Sequence, residues 1–212
     1  MADTAENIDT ARREAGRAGL VLLNTHPFET LNLDLVAAET GIDAAFLRRL
    51  FADTSTLVDQ GLRDKDDEIL FGLAEDFAED PDAGIREKIL EGLIARYETY
   101  APYKAAISHL NKASCRNPVL GGLLIMRLNT AMHSLLDLAG GAGEGLIGML
   151  RIKGLSAVAL SCQREWMKDD TPDLAATSRA LDKRLKQAES LAVTFRLIPD
   201  MGEREDHGSG QF

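Results

Sequence analysis

Arg48 and Arg49 are the residues whose type and placement best fit a recognition chemistry. They close the short stretch Ala44–Phe51, in which Leu47, Leu50 and Phe51 suit a buried side and Ala44, Ala45, Arg48 and Arg49 fall on the other. A guanidinium can donate two parallel hydrogen bonds to a guanine edge, the commonest specific base contact. Small side chains beside it let a helix lie close to a DNA groove. The plainer alternative is a pair of solvated arginines bound to Glu39 or Asp53.

Other chemistry is thinly supplied. His26, His109, His133 and His207 form neither a His pair one turn apart nor a Cys/His cluster, so no metal site is expected. Cys115 and Cys162 have no metal spacing and no disulfide framework, which fits a reduced compartment. Ser134, Ser161 and Ser190 lack a nucleophile-elbow context. Gly140–Gly141–Ala142–Gly143 lacks the strand and lysine of a phosphate-binding loop. No catalytic residues and no cofactor are therefore expected. His133 and Asp137 stand one turn apart and suit a structural pair. Leu123, Met126, Met132, His133, Met149 and Trp166 are candidates to line an apolar ligand cavity, because methionine adapts to irregular apolar shapes. The same stripe at helical spacing also suits plain core.

The elements that would position the arginines are legible. Asn32 can cap a helix through Leu33, Val36 and Ala37; Gly41 can end it, Ile42 plugs the turn, and Asp43 can cap the next helix. A preceding helix is expected over 4–25, stopped by His26–Pro27. Asp53–Thr54 opens a long helix through Phe77, whose charged middle, Asp64 to Glu68, reads as a solvated face. Helices follow over 82–100, over 103–115 and from Asn117–Pro118 to Leu135. The stretch 144–168 carries Leu146, Leu150, Leu155, Val158, Cys162 and Trp166 as one buried stripe. Thr171–Pro172–Asp173 suits the start of a last helix running through Leu191 and Phe195 to Pro199. No strand pattern and no internal repeat persists, so the fold class is all-α.

The 212 residues are 45% apolar with a net charge of -10, a globular and acidic chain. The first 65 residues hold seven Arg/Lys against eleven Asp/Glu, a balance of -4. Contact with DNA would need arginines gathered on one face and a dimer to double them. The polar, acidic N-terminus does not resemble a signal peptide. The longest unbroken apolar run, Leu120 to Met126, is too short for a bilayer, so a cytoplasmic protein with no integral membrane segment is expected.

Thr40–Gly41–Ile42–Asp43 at the turn and Leu47-x-x-x-Phe51 at the end of the second helix resemble the helix-turn-helix of the TetR family of transcriptional regulators. The likeness extends to the helix before and the long helix after. It implies a TetR-like, all-α architecture: a three-helix helix-turn-helix domain at 1–53, a helical ligand-binding and dimerisation domain at 54–200, and a tail at 201–212. It further implies a homodimer that binds duplex DNA and responds to a small apolar effector or lipid. Asn32, Asp43, Ala44, Ala45, Arg48, Arg49 and Ser55 are the positions it assigns to DNA. Two of them depart from the family pattern, which usually places a tyrosine at Arg48 and a lysine at Ser55.

A second likeness lies in Trp166–Met167–Lys168–Asp169–Asp170–Thr171–Pro172–Asp173–Leu174 and Ala180–Leu181–Asp182–Lys183–Arg184–Leu185. These resemble the C-terminal helices of TetR-type regulators, and also the TetR-fold lipid-binding accessory proteins of ubiquinone biosynthesis. That likeness implies an alternative function, a lipid or isoprenoid carrier that no longer binds DNA. The aromatic pair such proteins use for docking is replaced here by Gly148–Met149, ahead of Arg151 and Lys153.

Overall fold

The computed structural model describes residues 2–194, and the side chains of residues 6–190. The expected tail at 201–212 and the end of the last helix at Phe195–Pro199 lie outside the described residues. Among the described residues there are nine α-helices and two 3-10 turns, with no strand. The all-α expectation is met.

The described residues up to Ala142 form one compact unit and those from Gly143 form another. The first unit contains α1 (Ala2–Leu22), α2 (Leu33–Thr40), α3 (Ala44–Leu50), α4 (Thr54–Glu79), α5 (Ile85–Tyr100), α6 (Lys104–Ser114) and α7 (Pro118–Leu138). The second contains α8 (Gly145–Trp166) and α9 (Ala175–Thr194).

In the first unit α4 is the central element, packed against α1, α5 and α7. Its core line is Leu57, Val58, Leu62, Ile69, Leu73 and Phe77. Against it α1 presents Ala15, Ala18 and Leu20, all buried. The two helices meet backbone to backbone at Gly16 and Gly61. A Cβ built on Gly16 would lie 2.7 Å from the Gly61 nitrogen, and one on Gly61 would collide with the Gly16 carbonyl oxygen. Glycine is required here for proximity and not for its backbone freedom. The crossing fixes α1 on α4 at one register, and α1 is the platform on which α2 and α3 rest.

One side chain at the end of α1 joins it to the rest of the unit. Asn24 donates to the Pro102 carbonyl at 3.1 Å and accepts from the Ala106 amide at 3.2 Å. His109 of α6 reaches the Leu23 carbonyl with Nδ1 at 2.8 Å. These contacts satisfy polar groups that α1 would otherwise leave open where its helix stops.

The charged middle of α4 is not wholly solvated, contrary to expectation. Asp66 is buried, ion-paired with Arg96 of α5, and its Oδ1 lies 3.1 Å from the Tyr100 hydroxyl. Tyr100 is equally close to the Leu62 carbonyl, and burial raises the pKa of its hydroxyl. Asp59 forms a two-pronged pair with Arg127 of α7, at 2.8 and 2.7 Å. The hydrogen bond to Asp59 is the main cause that raises the Arg127 pKa. Buried charges require such partners.

By length and mean hydropathy α7 and α8 could each cross a bilayer, which a search for unbroken apolar runs overlooks. Within its unit α7 packs on α4, α5 and α6 and carries the Arg127–Asp59 pair. Packed core helices have the same composition.

In the second unit α8 and α9 pack as a hairpin. Leu155, Val158, Ala159, Cys162 and Trp166 of α8 are buried, as are Leu181 and Leu185 of α9. The first turns of α8 break the expected buried stripe: Leu146 is 67% exposed and Leu150 40%. The last helix starts at Ala175, later than Pro172. Asp169, buried, causes the delay by organising the turn. It accepts from the Thr171 amide and hydroxyl at 3.3 and 2.6 Å, and from the Thr177 amide and hydroxyl, both at 2.8 Å. Leu174 sits in that turn with φ 45°, a left-handed conformation that leucine rarely adopts, and so separates the turn from the helix.

Candidate nucleic-acid interface

The helix-turn-helix forms as its caps require. Asn32 Oδ1 accepts from the amides of Asp34 at 3.1 Å and Leu35 at 3.0 Å. Gly41 ends α2 in the left-handed region, φ 72°, where a side chain would be strained. Asp43 Oδ1 accepts from the Phe46 amide at 2.8 Å and starts α3. Leu47 and Phe51 are buried, so the register of α3 is set from below. Its outer side then carries Ala45, Arg48 and Arg49, all exposed, with Ala44 half-buried.

Neither arginine pairs with Glu39 or Asp53 among the contacts seen. Arg48 forms an exposed ion pair with Asp34 of α2. Arg49 places its guanidinium over the Phe46 ring, 5.5 Å from the centroid, a cation–π contact that leaves its charge available. Ser55 is half-buried in the first turn of α4. That turn is closed by a capping box in which Asp53 Oδ1 accepts from the Thr56 amide at 2.8 Å and the Asp53 amide donates to the Thr56 hydroxyl at 3.2 Å. Asn32 and Asp43 thus build the local fold, while Ala45, Arg48 and Arg49 form its open face.

Of the six ligand candidates, four belong to the first unit and two to the second. On α7, Met132 is buried and Leu123 half-buried, whereas Met126 is 70% exposed. His133 is exposed and bonds Asp137 through Nδ1 at 3.1 Å, the expected one-turn pair. Met149 and Trp166 belong to the second unit, the first exposed and the second buried. Cys162 is buried, and burial raises its thiol pKa, so it is held as the unreactive thiol. Among the described residues no group of three His, Cys, Asp or Glu is placed to hold a metal.

Two features escaped the sequence reading. The Asp34–Arg48 pair joins separate helices, and no periodicity connects its members. Asp66 could have been found. It stands at a core phase of α4, between Leu62 and Ile69, where an acid needs a buried partner.

No family model and no curated protein matches the sequence. A solved structure does. The crystal structure of a TetR transcriptional regulator from Nitrosomonas europaea superposes with a TM-score of 0.68, over 85% of this chain and 99% of that one. The chain has the TetR fold. Identity between the two is 18%, so the likeness speaks to architecture. The two short helices expected over 32–51 are α2 and α3, joined by the turn at Gly41.

Proposed function

We propose that this protein is a homodimeric, effector-responsive transcriptional regulator that contacts duplex DNA through the outer face of α3. The observation that carries this reading is the exposure of Ala45, Arg48 and Arg49 on a short helix whose register is fixed by a cap and two buried anchors. Asn32 and Asp43 hold that face in shape, with Ala44 half-buried in α3 and Ser55 half-buried in the first turn of α4. A small face with arginines is suited to the major groove.

Dimerisation is supported by α8. Leu146, Met149, Leu150 and Leu160 leave apolar side chains at least 40% exposed on a hairpin, a surface that two copies can bury as four packed helices. The effector would be small and apolar; Leu123, Met126, Met132 and His133 of the first unit, and separately Met149 and Trp166 of the second, are the candidate contacts. It must bind one arrangement of the two heads better than another, or it shifts nothing. The reading places the protein in the cytoplasm, with no catalytic residue and no cofactor.

A salt titration of duplex binding tests it. The expected result is measurable affinity at low salt that falls steeply as salt rises, because phosphate contacts release counterions. Arg48→Ala with Arg49→Ala is expected to abolish binding. No binding at low salt to duplex from the region upstream of its own gene overturns the reading.

The Asp34–Arg48 pair favours a second reading, in which the head has lost DNA contact and the protein carries a lipid or isoprenoid for ubiquinone biosynthesis. Native mass spectrometry after gentle purification separates the two. Co-purified lipid, or a melting temperature raised by added lipid, supports the carrier.

A further inference from the structure

We propose that Asp34 sets the DNA affinity of the head by holding Arg48, its carboxylate standing in for a backbone phosphate. The inference rests on the duplex-binding reading above. Asp34 lies in the first turn of α2 and Arg48 in the last turn of α3, so the pair bridges the two helices of the motif. Both side chains are more than half exposed, 67% and 54%. An ion pair this open contributes little to folding. Its consequence therefore falls on what Arg48 can offer a ligand.

The physical argument is one of charge. Affinity for a duplex grows with the number of phosphates neutralised, since each neutralisation releases condensed counterions. A guanidinium already facing a carboxylate brings a phosphate a neutral pair and releases almost nothing. The amides nearby do not compensate. Those of Asp34 and Leu35 are taken by Asn32, that of Phe46 by Asp43, and that of Thr56 by Asp53. Arg49 rests on an aromatic face and keeps its full charge. In the native chain Arg49 thus carries the electrostatic contact and Arg48 is held in reserve.

The test compares the full-length wild type, Asp34→Asn, Asp34→Glu, Arg48→Ala and the Asp34→Asn/Arg48→Ala double variant. The probe is a fluorescent mixed-sequence duplex, titrated in KCl by anisotropy, with thermal melts confirming that every variant folds. Asp34→Asn is expected to bind about fivefold tighter at low salt, with a salt slope steeper by about 0.9. Asp34→Glu is expected to keep the wild-type affinity, and Arg48→Ala to cost less affinity in the wild-type background than in the Asp34→Asn background. In the Asp34→Asn background, Arg48→Ala is expected to remove the whole gain. An Arg48→Ala effect of equal size in both backgrounds reports only summed charge and overturns the proposal. Wild-type binding that Asp34→Asn leaves unchanged overturns the proposal while the regulator reading stands. Failure of every variant to bind any duplex overturns both.

Discussion

Gly61→Ala is expected to destabilise the first unit by about 3 kcal/mol, toward the upper end of what overpacking costs. The added methyl meets the Gly16 carbonyl and lies 2.9 Å from the Leu20 Cγ. A flexible side chain could turn away, but a backbone carbonyl inside a helix cannot. The helices α1 and α4 must separate, and the buried contacts of Leu20, Leu57 and Leu62 loosen with them. Gly72→Ala is the control, because it lies in the same helix and a Cβ there meets nothing within 4 Å. Alanine is the better helix former by about 0.5–1 kcal/mol, so this variant is expected to gain stability. Urea unfolding of the two variants should shift the midpoint in opposite directions with little change in slope. If both gain, the helices do not cross at the glycine pair, and the platform under α2 and α3 is differently built.

Asp169→Ala is the second large effect, with an expected loss of about 3 kcal/mol from the α8–α9 hairpin. The carboxylate accepts from two amides and two hydroxyls, and hydrogen bonds to a charged partner contribute about 1.5–3 kcal/mol. Removal leaves the Thr177 amide and hydroxyl buried without that acceptor and loosens the turn in which Leu174 takes its positive φ. The same bonds, the Thr171 hydroxyl first, hold the Asp169 pKa far below the ordinary carboxylate value of 3.8. A depressed folded-state pKa contributes stability that is fully present above the unfolded-state value. That stability is lost as the pH falls below about 4 toward the folded-state value. Asp169→Asn should therefore unfold less steeply with acid than the wild type over that window. An acid-unfolding curve of unchanged shape would show that Asp169 is not held in this way.

How much of this was legible beforehand depended on whether the cause was local. Asn32, Gly41, Asp43 and Asp53 act on amides and carbonyls a few residues away, so their caps and turn could be read directly from residue type and spacing. The partner of Arg48 could not, because Asp34 meets it only after the turn folds α3 back beside α2. Charge runs misled for a related reason. Lys65 pairs with the exposed Glu68 along α4, whereas Asp66 turns inward to Arg96 and Tyr100. Composition alone treats all three alike. In α8 Leu146 and Leu150 read as one apolar stripe with Leu155 and Cys162, yet only the later pair is covered. Helical period identifies an apolar face; it does not tell which protein, or which copy of it, covers that face. At the start of α9, a side chain acting across eight positions, from Asp169 to Thr177, overrode the proline that seemed to begin the helix.

The claim on which the functional account rests is that two copies of α3 face outward at a spacing that matches successive turns of one duplex. Spin labels on Ala38→Cys, exposed on α2 and outside the face proposed to enter the groove, report this spacing by dipolar spectroscopy. Cys115, exposed, would be replaced by serine; Cys162 is buried and can remain. In the presence of duplex, a single inter-subunit distance of about 34–36 Å is predicted, the repeat of the major groove. Absence of any inter-subunit distance, or a separation that no pair of adjacent major grooves can accommodate, would contradict the account.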